Sequence, residues 1–379
     1  MDTVEGYFRG EISGRVEVVL EAILLVGGRG TRLRPLTVNT PKPMLPVGGV
    51  PFTEHQIARA RAAGVTRVVL STSYRAEVFS EYFGDGSDFG VELVYVTEDS
   101  PLGTGGAIRH AVDHLASPPD APVLIFNGDV LSGVDLEGLV HAWHSAAADV
   151  VLYLTRVADP RAFGLVPTDS HGRVQAFLEK PTKPEEIVTD QINAGCYVFR
   201  RSIIDAIPPG RVVSVERETF PALLAADAPV FGVVDPAYWL DLGNPAAFVE
   251  GSRDLVSGRI ASPALPGTPG RMIALPGSDI SRDAVVTGGS CIGARAQVQA
   301  YANVDGSVVF DDAVIGVGAE VISSIVGRGA QIGAGTKLNG AVVGDGAIIG
   351  AENELLAGVR VWPGVTLPDV GVRFSSDQE

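Results

Sequence analysis

"VFDDAVIGVGAEVISSIVGRGAQIGAGTKLNGAV", residues 309–342, is two copies of one 17-residue unit. An apolar residue recurs in it at steps of six, six and five: Val309, Ile315, Val321, then Val326, Ile332, Leu338. The rhythm continues on both sides, through Ile280, Val286, Ile292, Val298 and Val304 before it and Val343, Ile349, Leu355 and Val361 after it. One apolar residue per hexad, with Gly or Ala at the corners, is the requirement of a triangular parallel β-helix. Each coil has three short sides, and the repeated apolar position points into a narrow interior. Residues 273–366 are therefore expected to form a stacked repeat domain suited to assembly, and the chain is expected to be a homo-oligomer.

Working back from the repeat, "SGRIASPALPGTPG", residues 257–270, is rich in Pro, Gly and Ser and reads as a linker, placed at 257–272. Upstream of it the texture is different. Short apolar runs ("AILLV" at 22, "RVVLS" at 67, "VELVYV" at 91, "APVLIFNGD" at 121, "DVVLYLTRV" at 149) alternate with amphipathic segments such as "TEHQIARARAAG" at 53. Strand and helix alternating in this way predict a mostly parallel, Rossmann-like sheet over residues 22–256, with ligands at the carboxyl ends of its strands. The whole is an α/β chain of two domains, as 379 residues would suggest. Residues 1–21 are left as an N-terminal extension and 367–379 as a tail.

Composition narrows the partners. A net charge of −16 disfavours a nucleic-acid backbone as ligand. Two cysteines far apart, Cys196 and Cys291, give neither a disulfide framework nor a zinc site. The acidic N-terminus is not a secretory signal and no apolar run is long enough to span a membrane, so a cytoplasmic protein is expected.

Within this acidic chain, "LLVGGRGTRLRPLTVNTPKPMLPVGG", residues 24–49, concentrates five glycines and four cations with no acid. It is neither a Walker A loop nor a dinucleotide fingerprint. Yet glycines that let backbone N–H groups approach an anion, beside Arg29, Arg32, Arg34 and Lys42, make a phosphate site, unless they merely shape a turn. "FNGDV" and "YWLDLGNP" put Asp129 and Asp241 after apolar runs, where two carboxylates suit Mg²⁺; singly, each also reads as a turn or N-cap residue. "FLEKP" supplies Glu179 and Lys180, and "INAGCYVF" supplies Asn193; a solvated surface pair is the alternative for the former. "PLGTGGAIRHAV" is a second glycine turn entering a helix, whose N-terminal amides suit an anion, although helix entry explains it equally. The six histidines all precede residue 172, mostly on amphipathic segments where packing or exposure accounts for them.

"LVGGRGTRLRPLT", "PKPMLPVGG", "PLGTGGA", "NGD", "EKP", "INAGCYVF", "ERETFPALL" and "WLDLGNP", in this order, resemble the sugar-1-phosphate nucleotidyltransferases, and most closely their mannose-1-phosphate guanylyltransferase branch. The resemblance covers residues 22–365 and implies a left-handed β-helix for the hexapeptide repeats. It further implies that GTP and a hexose 1-phosphate give a GDP-sugar and pyrophosphate with Mg²⁺. By position, Gly27, Gly28, Gly30 and Thr31 would lie against the nucleotide, with Gly103 and Thr104 near base and ribose and Asn127 and Gly128 beside them. Arg32 and Lys42 would hold the triphosphate, and Asp129 and Asp241 the metal. Gly164, Glu179 and Asn193 would meet the sugar, and Lys180 its phosphate. Two departures stand out: the N-terminal extension, and Gly105-Gly106 where guanylyltransferases often carry Ala-Gly.

The chemistry implied needs no side-chain nucleophile or base, because the attacking phosphate is already ionised; positioning and charge stabilisation suffice. Glucose 1-phosphate or another nucleotide and sugar phosphate pair are alternative substrates. An acyltransferase built on the repeats would need a histidine base there, and the repeats contain none. A non-catalytic GDP-sugar-binding subunit would be expected to lose a cation or carboxylate, yet Arg32, Lys42, Asp129, Lys180 and Asp241 are all present.

Overall fold

A computed structural model describes residues 20–73 and 75–372. The expected N-terminal extension lies outside these residues except for its last two, and the expected tail lies outside them from residue 373 onward.

The first domain is built on a nine-stranded sheet. Its main strands are β1 (Leu20–Leu25), β2 (Val65–Thr72), β3 (Glu92–Thr97), β4 (Pro122–Asn127), β5 (Val150–Arg156), β6 (Gln191–Arg200) and β7 (Val230–Val234). β1 lies parallel between β2 and β4, and β3 extends the parallel set beyond β2. β6 runs antiparallel to both β4 and β5, so its first residues lie beside the carboxyl end of β4. Both faces are covered, and successive residues alternate between two cores. Ala22 and Leu24 pack on one face and Ile23 on the other; Leu124 faces one side, Val123 and Ile125 the other. That double burial is why these strands read as continuous apolar runs.

The second domain comprises three parallel sheets of six, six and five very short strands, a left-handed parallel β-helix. Val304 pairs with Val321 and Val321 with Leu338, a 17-residue coil. At the two ends the coil lengthens to 18, as in Ile273 with Cys291 and Ile349 with Leu367, so the last strand reaches beyond residue 366. From Ile292 to Val361 the predicted apolar column is buried inside. The step of five has its own chemistry. At that corner Ser290, Ser307 and Ser324 are buried, and each hydroxyl accepts the backbone N–H of the next coil at 3.0 Å: Ser307, Ser324 and Ala341 respectively. A hydroxyl thus satisfies an amide where the shortened corner leaves it without a strand partner.

The Pro/Gly-rich segment is packed between the domains. Ile260 is buried, Leu265 packs against the same cluster, and buried His55 donates from Nε2 to the Val47 carbonyl at 2.8 Å while its Nδ1 lies 2.6 Å from Ser262 Oγ. A single apolar cluster spans both domains, joining Leu33, Leu36, Leu45 and Val47 to Cys291, Val308, Ile325 and Val342. Cys196 and Cys291 are free and buried, and burial pushes both thiols up to about 12.

Candidate active site

β1 ends at Leu25, and the chain then turns through Gly27 and Gly28 at the carboxyl edge of the parallel strands. A cleft of about 360 Å³ opens there. It is lined by Gly27, Gly28, Lys42, Gly103, Thr104, Asn127, Gly128 and Asp129, and by Ser71, Ser73 and Glu98 at the ends of β2 and β3. The glycines are needed for different reasons. A Cβ on Gly128 would lie 2.3 Å from the Leu25 carbonyl, which accepts the Gly128 N–H. Gly30 adopts φ +57°, and a Cβ there would lie 2.7 Å from Cβ of Lys42, so its absence lets the two halves of the basic loop close on each other. Gly28 has open space around it, where a ligand can approach the backbone.

Two strands bring the aspartates together. Trp239–Asp241 pairs antiparallel with Val130–Ser132, and the Leu242 N–H donates to the Asp129 carbonyl. Lys42 Nζ then lies 2.8 Å from Asp129 Oδ2 and 3.9 Å from Asp241 Oδ1, while Arg32 reaches Asp241 Oδ2 at 4.0 Å across Gly243. Asp241 Oδ1 is buried and has no hydrogen-bond partner among the described residues. Burial and then the Asp129 charge raise the Asp241 pKa, with Lys42 and Arg32 opposing. An unsatisfied carboxylate oxygen next to a second carboxylate is the environment a divalent cation relieves. No group of three or more His, Cys, Asp or Glu side chains that could hold a metal is found among the described residues, so phosphate oxygens and water would complete the coordination.

The other half of the site is carried by β6 and two short strands. Gly164 pairs with Glu179, and a Cβ on Gly164 would come within 2.8 Å of Glu179 Oε2. Lys180, at φ +50°, turns back to lie 3.2 Å from Glu179 Oε1. Asn193 donates to the buried Tyr197 hydroxyl at 2.8 Å and accepts the Gly195 N–H. Gly195 lets Asn127 lie against the strand, a Cβ there meeting Asn127 Nδ2 at 2.8 Å, and this joins the two halves. Asp129 and Asp241 therefore sit where the parallel and antiparallel parts of the sheet meet.

At the second glycine turn the structure favours helix entry over an anion site, while Gly103 and Thr104 do line the cleft. The helix Gly103–Val112 does begin there, but the N–H groups of Gly105 and Gly106 both donate to the Val213 carbonyl, so they do not face an anion. The Thr104 hydroxyl donates to Glu216 Oε2 at 2.7 Å and accepts the Val215 N–H at 3.0 Å. Its side chain fastens the "ERETF" segment to the cleft wall. Glycines at 103, 105 and 106 are what allow residues 211–213 to approach; Cβ atoms on them would meet the Val213 carbonyl at 2.6 Å, the Val213 side chain at 2.8 Å and the Arg211 carbonyl at 2.5 Å. The sequence reading also missed Glu98. Its Oε2 accepts the Leu102 N–H at 3.0 Å, and its place immediately after β3 is the signal that could have revealed it.

A doubly covered sheet with a glycine-rich basic loop, two convergent carboxylates and an adjoining polar half-site defines a phosphate-transfer enzyme. The chain belongs to the nucleotidyl transferase family, whose model matches residues 21–258; the GMPPB C-terminal domain model matches residues 268–375. It is 56% identical to the mannose-1-phosphate guanylyltransferase of Mycobacterium tuberculosis (strain ATCC 25618 / H37Rv), over 94% of this chain and 98% of that one. It is 37% identical to a probable mannose-1-phosphate guanylyltransferase 1 of Oryza sativa subsp. japonica, over 62% of this chain and 64% of that one. Among solved structures, HddC from Yersinia pseudotuberculosis complexed with GMP-PN is similar at 26% identity and a TM-score of 0.53, over 62% of this chain and 99% of that one. No described helix is long and apolar enough to cross a membrane.

Proposed function

We propose that this protein is a mannose-1-phosphate guanylyltransferase, which joins GTP to mannose 1-phosphate and releases pyrophosphate. The observation that carries the reading is the convergence of Lys42, Asp129 and Asp241 at the border between the two halves of the cleft, with Arg32 beside them. Its 56% identity to the mycobacterial enzyme supports the choice of substrates. So does Glu98, because guanine presents adjacent N–H donors and an ionised carboxylate only accepts.

A sugar phosphate oxygen attacks the α-phosphorus of GTP; one P–O bond forms, the P–O bond to pyrophosphate breaks, and no proton needs to move. Both reactants are anions, so the protein's task is to gather them and neutralise charge. Gly27 and Gly28 present backbone to the nucleotide, and Arg32 and Lys42 meet the departing pyrophosphate. Lys180 meets the sugar phosphate, while Glu179 and Asn193 take sugar hydroxyls. Asp129 and Asp241 would hold Mg²⁺, which would supply positive charge to the α-phosphate.

The test is pyrophosphate release with four nucleotides crossed against mannose, glucose and N-acetylglucosamine 1-phosphates. GTP with mannose 1-phosphate is expected to give the highest kcat/KM. A preference for glucose 1-phosphate, or for another nucleotide, would overturn the assignment.

A further inference from the structure

One outward-facing column of the β-helix runs Ile273, Cys291, Val308, Ile325, Val342 and Arg360, each residue paired in register with the next. The first five are buried against the first domain. The sixth breaks the apolar pattern with a cation, and its position is specific. Arg360 Nη1 donates to the Arg32 carbonyl at 2.8 Å and to the Arg34 carbonyl at 2.7 Å. Between those two carbonyls lies Leu33, fully buried in the cluster that the column covers. The basic loop is thus pegged by Leu33 and gripped on either side of the peg by one guanidinium from the other domain.

We propose that Arg360 is a positioning residue for the phosphate-binding loop. The inference rests on Arg32 acting on the triphosphate. Arg32 stands on a single three-residue turn, Thr31–Leu33, with its side chain 66% exposed. The turn's own ties are the Leu33 N–H to the Gly30 carbonyl and the Arg34 N–H to the Thr31 carbonyl. Neither fixes the turn relative to the sheet that carries Asp129. Arg360 does so, because it is borne on a rigid stack and binds the two peptide carbonyls that flank Leu33. Charge stabilisation of a leaving group depends on the cation being in place before the reaction, and displacement of a positioning group by an ångström costs up to about a hundredfold in rate. The repeat domain therefore acts on nucleotide handling directly, in addition to any part in assembly.

The experiment uses the full-length chain carrying Arg360→Met, which keeps the stem and removes the donors, and Arg360→Lys, which restores a donor. Arg360→Met is expected to lower kcat/KM for GTP roughly 10- to 100-fold, with KM for mannose 1-phosphate within about twofold of wild type, and Arg360→Lys to recover part of the loss. Hydrogen exchange of the peptide covering residues 30–38 should quicken in Arg360→Met while the β-helix peptides keep their protection. Wild-type kinetics in Arg360→Met, a KM for mannose 1-phosphate raised as much as that for GTP, or a general loss of β-helix protection would each overturn the inference. Failure of the wild-type chain to release pyrophosphate from any pair would instead sink the proposed function, and the exchange measurement would still decide whether Arg360 holds the loop.

Discussion

Lys42 and Asp129, 87 residues apart in sequence, form a 2.8 Å ion pair at the floor of the cleft, and the same ammonium stands 3.9 Å from Asp241. One lysine thus occupies the charge field in which a divalent cation would sit. On the proposed reading Lys42 and the metal would compete for the two carboxylates in the nucleotide-free protein, and an arriving triphosphate would give the lysine an anion of its own. Replacing Lys42 with Met should tighten Mn²⁺ binding to the nucleotide-free protein while lowering turnover at least ~100-fold. Manganese titration followed by electron paramagnetic resonance measures the first effect, and unchanged affinity would exclude the competition.

Asp241 carries the cost of that arrangement. Burial and the Asp129 charge raise its pKa above the ordinary 3.8, so in the folded metal-free protein its ionised form is disfavoured. A raised folded-state pKa is a stabilisation present below the unfolded value and lost as pH rises through the folded one. Asp241→Asn should therefore melt higher than wild type at pH 7 without metal, with the gain vanishing below the ordinary carboxyl pKa, and should lose metal-dependent turnover. A melting temperature at pH 7 equal to or below that of wild type would contradict this account.

Gly105 belongs to the Gly-Gly pair that departs from the pattern the family resemblance implies, and the structure supplies a reason for a glycine there. A Cβ at this position would meet Val213 Cγ1 at 2.8 Å and Cβ at 3.2 Å. Gly105→Ala alone should destabilise by about 1–3 kcal/mol, the range of forced overpacking. Adding Val213→Ala removes the shortest of these contacts, so the double variant should be less destabilised than the sum of the two single changes. Denaturant unfolding of the two single variants and the double variant gives the coupling; strict additivity would refute the contact as the cause.

His55 should make the domain junction acid-sensitive. It is buried between the Val47 carbonyl and Ser262, and burial lowers its pKa from 6.5 to about 4. Because the unfolded chain takes up the proton first, stability is complete above pH 6.5 and falls as pH drops toward about 4. The full effect is of order 3 kcal/mol. Melting temperature measured across that window should fall less steeply in His55→Asn than in wild type. Parallel slopes would show that other groups set the acid limb.

Much of the site was legible because local chemistry marks it. A strand followed by Gly27-Gly28 announces a carboxyl-edge loop, and Asp129 follows an apolar run that could only be a buried strand. Glu98 has the same placement after Glu92–Thr97 and was overlooked because no glycine or second acid drew attention to it. The second glycine turn is compatible with an anion site or with helix entry, and the structure shows the amides of Gly105 and Gly106 engaged by Val213 and the Thr104 hydroxyl by Glu216 and Val215. Those partners lie about a hundred residues further on, and nothing in a glycine turn says which carbonyl will come to meet it.

The sequence by itself determined the two architectures, because periodicity is a property of neighbouring residues. Steps of six, six and five define a coil, and apolar runs between amphipathic segments define a covered sheet. Its loops also carried the residue types of the chemistry. Only the tertiary structure decided how those residues combine: that Lys42 lies between two aspartates, that serine hydroxyls of neighbouring coils take up the amides of three short corners, and that Arg360 ends an apolar column on the backbone of the basic loop. Each of these is a contact between segments distant in sequence. Such contacts follow from how sheets register and domains dock, which depends on the whole packed core and not on any stretch of it.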